Sequence, residues 1–193
     1  MLTRNIEYVI DEVFNLYEQQ GAEEYAGERV SQLEHMCQAG QLAMKEGYDD
    51  EVVLAAFLHD LGHLLPIHDE NESMDGYGMM DHEKVAAEYL RSIGFSERVC
   101  KLIASHVNAK RYLTWKYPEY YKYLSEASKK TLVFQGGRMS DEEAKQFEAD
   151  ALFDLYIKMR KWDEAAKVDN LPIPKIDIFR QKAMEHLERQ IAR

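Results

Sequence analysis

The sequence predicts an all-α protein. Three observations carry that reading: helix-forming residues dominate, only 4 Pro and 10 Gly interrupt 193 residues, and apolar side chains recur at helical spacing in segment after segment. A hydrophobic content of 46% is enough to bury a core in one compact domain spanning residues 1–193. The formal net charge of -11 excludes a polyanion as the main partner, since nucleic-acid binding needs a basic face. It leaves room for a small anion in a locally basic pocket. Cys37 and Cys100 are isolated and lack metal-type spacing, which reads as reduced thiols in a cytoplasmic protein. The first residues carry acidic groups where a signal peptide needs an apolar stretch, and no run reaches membrane-spanning length.

Taken in order, Ile6, Val9, Ile10, Val13, Phe14 and Tyr17 follow helical spacing, and Gly21 closes this first helix. In the next stretch Tyr25, Glu28, Gln32 and His35 stand at offsets that would share one helical face, either a solvated stripe or one turned to a site. That helix is expected to run to Glu46 and stop at Gly47. After Asp49-Asp50-Glu51, the run Val52 to Leu58 reads as a helix buried on all sides, which carries His59 and Asp60 into the interior. A buried carboxylate is costly unless paired or metal-bound. An ordinary core histidine bonded to its neighbour is the competing reading for this pair alone. His63, one turn after His59, extends the polar strip.

Pro66 to Asp81 has turn residues and no periodicity. Its His68 and its acids read as surface groups, or as parts of a lid over a pocket. Asp81 is placed to cap a helix with His82 in its first turn and Val85, Ala86, Tyr89 and Leu90 toward the core. Gly94 ends it. Ser96 caps the next, where His106 falls on the buried face and Lys110 one turn beyond. Tyr112, Trp115, Tyr117, Tyr120, Tyr121 and Tyr123 read mainly as packing, or as an aromatic wall for a cation. Ser125 and Ser128 follow, and Ser140 with Glu143 forms a capping box. In the last long helix Leu152, Tyr156 and Met159 form an apolar line that Asp163 continues, with Arg160 one turn before it. The pair is either a plain ion pair or a ligand with an anion clamp. Leu171-Pro172-Ile173-Pro174 reads as an extended connector, and the final helix, Ile178 to Ala192, carries His186 on its surface.

His35, His59, His82 and His106 are separated by 24, 23 and 24 residues, about one helix and one loop each time. Successive antiparallel helices presenting one His each to a common point explain this spacing. Imidazoles with a carboxylate then favour Zn, Mn or Fe over Ca.

The string His35, His59-Asp60, His82, His106, Asp163 resembles the HD-domain superfamily, which implies a helical bundle around a divalent metal. Further likeness lies in Gln32-Leu33-Glu34-His35, His59-Asp60-Leu61-Gly62-His63, Gly76-Tyr77-Gly78, Ala109-Lys110-Arg111 and Trp162-Asp163-Glu164. Together these resemble the mixed-valent diiron oxygenases that cleave the carbon–phosphorus bond of 1-hydroxy-2-aminoethylphosphonate or its trimethylammonio relative. The resemblance implies two Fe ions, Fe(II)/Fe(III), with O2 as co-substrate, and phosphate plus glycine or glycine betaine as products. By that resemblance His35, His59, Asp60 and Asp163 hold one iron, while Asp60, His82 and His106 hold the other with Asp60 bridging. Tyr25 is a movable ligand, and Glu28 lies near the substrate amine. Lys110, Arg160, Ser128 and His63 bind the phosphonate, a role for which Arg suits bidentate oxygen recognition. A metal-dependent HD phosphohydrolase of a nucleotide or phosphate ester is the rival that the HD core leaves open.

Overall fold

The computed structural model describes residues 5–25, 27–66, 74 and 80–192. All its regular elements are helical among these residues: α1 (Ile6–Gln20), α2 (Gln32–Lys45), α3 (Asp50–Leu58), a 3-10 turn (Leu61–Leu64), α4 (His82–Ser92), α5 (Glu97–Lys116), α6 (Tyr120–Tyr123), α7 (Glu126–Phe134), α8 (Asp141–Glu148), α9 (Phe153–Ala165) and α10 (Asp177–Ile191). An isolated antiparallel bridge joins Glu24 and Ser31. No described helix is long and apolar enough to cross a membrane.

The core follows from α3. Every residue from Val52 to Leu58 is buried, as the apolar run requires, and each of Leu54, Phe57 and Leu58 contributes about 1.5–3 kcal/mol by leaving water. Asp49 caps this helix by accepting from the Val52 amide at 3.1 Å. Around it pack α2, α5, α9 and α10, and α4 lies against α5. Phe57 stacks on Phe179 of α10 with centroids 4.2 Å apart. Gly40 of α2 permits that stack, because a Cβ there would meet the Phe179 ring at 2.5 Å. Capping boxes at Ser31/Glu34 and Ser140/Glu143 start α2 and α8. Cys37 and Cys100 are free and buried, and burial pushes their thiols up to about 12 and about 11.

Several expectations change. Tyr25 to Gln32 is no helical face: Gly27 takes φ +79, Tyr25 and Val30 are joined by a backbone hydrogen bond, and the Ser31 cap delays the helix to Gln32. His186 is buried, 1% exposed, because it lies on the same stripe of α10 as Phe179, Ala183 and Leu187. Its Nε2 accepts from the Ser96 amide at 3.1 Å. Tyr121 and Tyr123 are exposed, since α6 is a single short turn with no buried face, and so is Tyr117 just past the end of α5. Asp81 stands at the start of α4 in a left-handed conformation (φ 57), but its carboxylate takes the Lys84 ammonium at 2.5 Å and caps no amide. Val85 and Tyr89 are half-buried. The loop readings for His68, for Asp69 to Asp75 and for Gly76-Tyr77-Gly78 lie outside the described residues, Met74 excepted.

Candidate metal centre

Five segments of the bundle meet at one point. α2 supplies His35, the end of α3 supplies His59 and Asp60, α4 begins with His82, and α5 and α9 supply His106 and Asp163. All six residues are at most 4% exposed. Helix α3 stops at Leu58, so His59 retains helical dihedrals while Asp60 turns to φ -104, ψ 11, which aims two adjacent side chains at one place. Gly62 lets the chain pass under the start of α4. A Cβ there would sit 2.0 Å from the His82 carbonyl oxygen.

Backbone carbonyls fix the imidazoles. The Nδ1–H groups of His35, His59 and His106 donate to Ala166, Ala56 and Ile103 carbonyls, each at 2.9 Å. That tautomer leaves every Nε2 lone pair pointing inward. The Nε2 atoms of His35 and His59 are 3.2 Å apart, and those of His82 and His106 are 3.1 Å apart. Asp60 lies between the pairs: Oδ2 is 3.4 Å from His35 and 3.3 Å from His59, and Oδ1 is 3.2 Å from His82 and 3.3 Å from His106. Asp163 Oδ1 is 3.5 Å from His35 Nε2 and has no hydrogen-bond partner.

Converging lone pairs and an orphaned buried carboxylate oxygen are unfavourable unless a cation stands among them. The donor set therefore fits a metal site, with Asp60 between its two pairs of imidazoles. His35, His59 and Asp163 form one ligand-competent group. His63 reaches a second group with Asp60 and His82, each group offering atoms within 4.8 Å of one another. His63 also stacks on His82 with centroids 3.9 Å apart. Without metal the cluster attracts a proton: burial opposes it, yet Asp60 raises His59 to about 9. Burial works against the Asp60 carboxylate too, but His59, His106 and His35 hold it well below the usual carboxylate range.

Beside this centre lies a polar wall. Tyr25 stacks on His35 at 4.1 Å and donates its hydroxyl to Asp60 Oδ2 at 2.8 Å. Arg160 binds Asp163 Oδ2 through Nη1 at 2.5 Å, reaches Ser128 Oγ at 3.5 Å through Nη2, and donates from Nε to Glu164 at 2.8 Å. Asp163 is thus held so that its free oxygen faces His35. Lys110, 3% exposed, donates to Thr131 Oγ1 at 2.9 Å. Burial, helped by Arg160, lowers its ammonium to about 7. Burial also raises the Glu164 carboxyl to about 7. Buried cations in such surroundings favour an anionic visitor.

Glu28 reaches this wall although no helix carries it there, and it pairs with Lys167 at 2.7 Å. Lys167, Gln38, Thr131 and Glu164 were not anticipated from the sequence as parts of this wall. Arg160, Asp163 and Glu164 fall at offsets 0, 3 and 4 beside the apolar line of α9 that Asp163 continues, with Lys167 just past the helix end, and that charged spacing was the available signal.

Residues 32–153 match the family model described as HD domain. The chain is 44% identical over 186 residues to an uncharacterized protein of Acanthamoeba polyphaga mimivirus, covering 95% of this chain and 85% of that one. It is 35% identical over 169 residues to the glycine-betaine-forming 1-hydroxy-2-(trimethylamino)ethylphosphonate dioxygenase of Leisingera caerulea, covering 86% and 84%. Over 181 residues it is 35% identical to the hydroxymethylphosphonate dioxygenase of Gimesia maris, covering 93% and 88%. Tyr25, Glu28, Arg160 and Asp163 lie outside the residues matched by the family model, the first two in the turn before α2 and the last two on α9. With this match over more than half its length, the chain belongs to the HD-domain family and is similar over most of its length to hydroxyphosphonate dioxygenases.

Proposed function

We propose that this protein is a diiron dioxygenase that uses O2 to cleave the carbon–phosphorus bond of a 1-hydroxyphosphonate. The observation that carries the reading is the centre itself: four inward Nε2 atoms, a shared Asp60 and an orphaned Asp163 oxygen beside buried Lys110 and Arg160. Similarity to two named hydroxyphosphonate dioxygenases supports it. His35, His59, Asp60 and Asp163 would hold one iron, and Asp60, His82 and His106 the other. Bound as a mixed-valent pair, the irons would supply O2 reduction and Lewis acidity toward the substrate hydroxyl.

The chain's own residues do the rest. Lys110, Arg160, Ser128 and His63 take the phosphonate oxygens. Arg160 offers a planar fork, and Lys110, near neutrality when unliganded, gains a proton as the dianion arrives. Burial and the neighbouring His82 hold His63 well below the usual imidazole range, so it serves as a neutral N–H donor. Tyr25 covers the centre and must release Asp60 for substrate to reach it, with Glu28 on the same turn near the substrate's C2 end. The sequence reading places a primary or trimethylated amine there.

The test is phosphate release by iron-loaded protein from 1-hydroxyphosphonates with and without O2. Release only with O2 is expected. Release from ordinary phosphate esters without O2, and from no phosphonate, would make the protein a metal-dependent phosphohydrolase instead.

A further inference from the structure

We propose that Glu164 and Tyr120 are positioning residues for the phosphonate: they hold the Nε side of the Arg160 guanidinium, so that Arg160 receives an oxyanion only across its Nη1–Nη2 end, beside Asp163. This inference rests on the dioxygenase reading and deepens it.

A guanidinium can meet an oxyanion as a fork along its Nε side or across its two Nη atoms. In this chain the first choice is closed. Arg160 Nε donates to Glu164 Oε1 at 2.8 Å and to Tyr120 Oη at 3.1 Å, and the Tyr120 hydroxyl donates to the same Glu164 oxygen. One N–H is thus shared by two acceptors that are themselves bonded. Of the remaining donors, Nη1 gives one hydrogen to Asp163 Oδ2 at 2.5 Å and Nη2 reaches Ser128 Oγ at a loose 3.5 Å. Each Nη carries two hydrogens, so one on each is left, and together they form the fork at the Nη end.

The brace is anchored on two elements. Glu164 follows Arg160 by four residues on α9, a spacing that pairs side chains along a helix. Tyr120 comes from α6, and its ring packs on the small core of Tyr112, Leu113, Met139 and Ala144, which fixes where its hydroxyl sits. This contact gives α6 a task although its other tyrosines are exposed. Arg160 is 3% exposed, whereas the Glu164 side chain is 33% exposed. Removing the Glu164 carboxylate therefore admits water to Nε and leaves the core packed. Water satisfies the N–H but does not hold the guanidinium in one orientation. Because such a brace acts alike on bound substrate and transition state, its loss falls on Kd and KM rather than on kcat.

The experiment measures binding of hydroxymethylphosphonate and 1-hydroxy-2-aminoethylphosphonate to iron-loaded protein by anaerobic calorimetry, then phosphate release with and without O2. Glu164→Ala should weaken binding and raise KM by about tenfold, with kcat within about threefold of the parent. Glu164→Gln, which keeps an acceptor for Nε, should restore binding to within about threefold, and Tyr120→Phe should fall between the two. In an Arg160→Lys background, which has no Nε–H, adding Glu164→Ala should change Kd by less than about twofold, the non-additivity of residues that act as one unit. An unchanged Kd in Glu164→Ala, an equal loss in both backgrounds, or a fall in kcat at constant KM overturns the proposal. The expected Kd pattern without O2-dependent phosphate release from the parent overturns the dioxygenase reading alone, and binding of neither phosphonate by the parent overturns both.

Discussion

Replacing Gly62 by Ala adds one methyl group at the most crowded backbone crossing of the centre. Its Cβ would lie 2.0 Å from the His82 carbonyl oxygen, 2.7 Å from the carbonyl carbon and 3.0 Å from Cα. A carbon–oxygen contact relaxes only near ~3.3 Å, so the two segments must part by about 1.3 Å. His59 is pinned to the Ala56 carbonyl and buried beneath α3, whereas His82 opens α4 behind a left-handed Asp81. The start of α4 therefore moves. Metal ligands tolerate only about 0.2 Å, so the Asp60, His82, His106 site is lost while the His35, His59, Asp163 site persists. The added strain is worth about 1–3 kcal/mol, or a Tm lower by roughly 2–12 °C in a chain of this size. Metal analysis of iron-reconstituted Gly62→Ala should give one iron per chain against two in the parent. Two irons with an unchanged Tm would refute the close approach and the assignment of His82 built on it.

Asp60→Ala should lose both irons, since one carboxylate faces all four imidazoles, and retention of two per chain would sink the bridging role. Arg160→Ala should weaken phosphonate binding by roughly 2 kcal/mol or more, and an unchanged Kd would remove Arg160 from the anion pocket. It should also loosen the first iron, because Arg160 holds Asp163 in place. In metal-free protein the Lys110 ammonium sits at about 7, below its unfolded value near ~10.4, so the unfolded chain binds more protons between these pH values. Stability from this group thus rises as pH goes from 7 toward 10, and urea unfolding at pH 7 and 9 should show that rise shrink in Lys110→Met. His186→Leu strands the Ser96 amide and should cost about 1–3 kcal/mol by thermal unfolding while iron content stays at the parent level; a loss of iron would tie this distant contact to the centre.

The helices and their ends were largely legible because they depend on local chemistry. The apolar run Val52 to Leu58, the caps at Ser96 and Ser140 and the stop at Gly47 each follow from neighbours in sequence. The spacing of His35, His59, His82 and His106 exposed the centre for the same reason, since one helix and one loop return the chain to the same end of a bundle. Tyr25 and Glu28 were placed at the centre by the family resemblance, and the helical face expected to carry them does not exist; a turn closed by the Tyr25–Val30 hydrogen bond brings them there instead. His186 followed its stripe into the core, where α3 and the Phe95–Ser96 turn pack against α10, contacts that a polar residue on a charged helix does not announce.

What the sequence determined by itself, then, is the all-α frame and the residues able to ligate metal, because periodicity, caps and donor chemistry are properties of short segments. Only the tertiary structure decided that Nδ1–H bonds to carbonyls of Ala166, Ala56 and Ile103 turn the lone pairs inward, and that Arg160 leaves one Asp163 oxygen free. It also decided that Lys167, 139 residues from Glu28, neutralises that carboxylate beneath the Tyr25 ring. The His35–Ala166 and Glu28–Lys167 pairings join distant segments, which no local pattern of residues encodes, while the contacts of His59, His106 and Asp163 three residues away acquire their direction from burial at the centre.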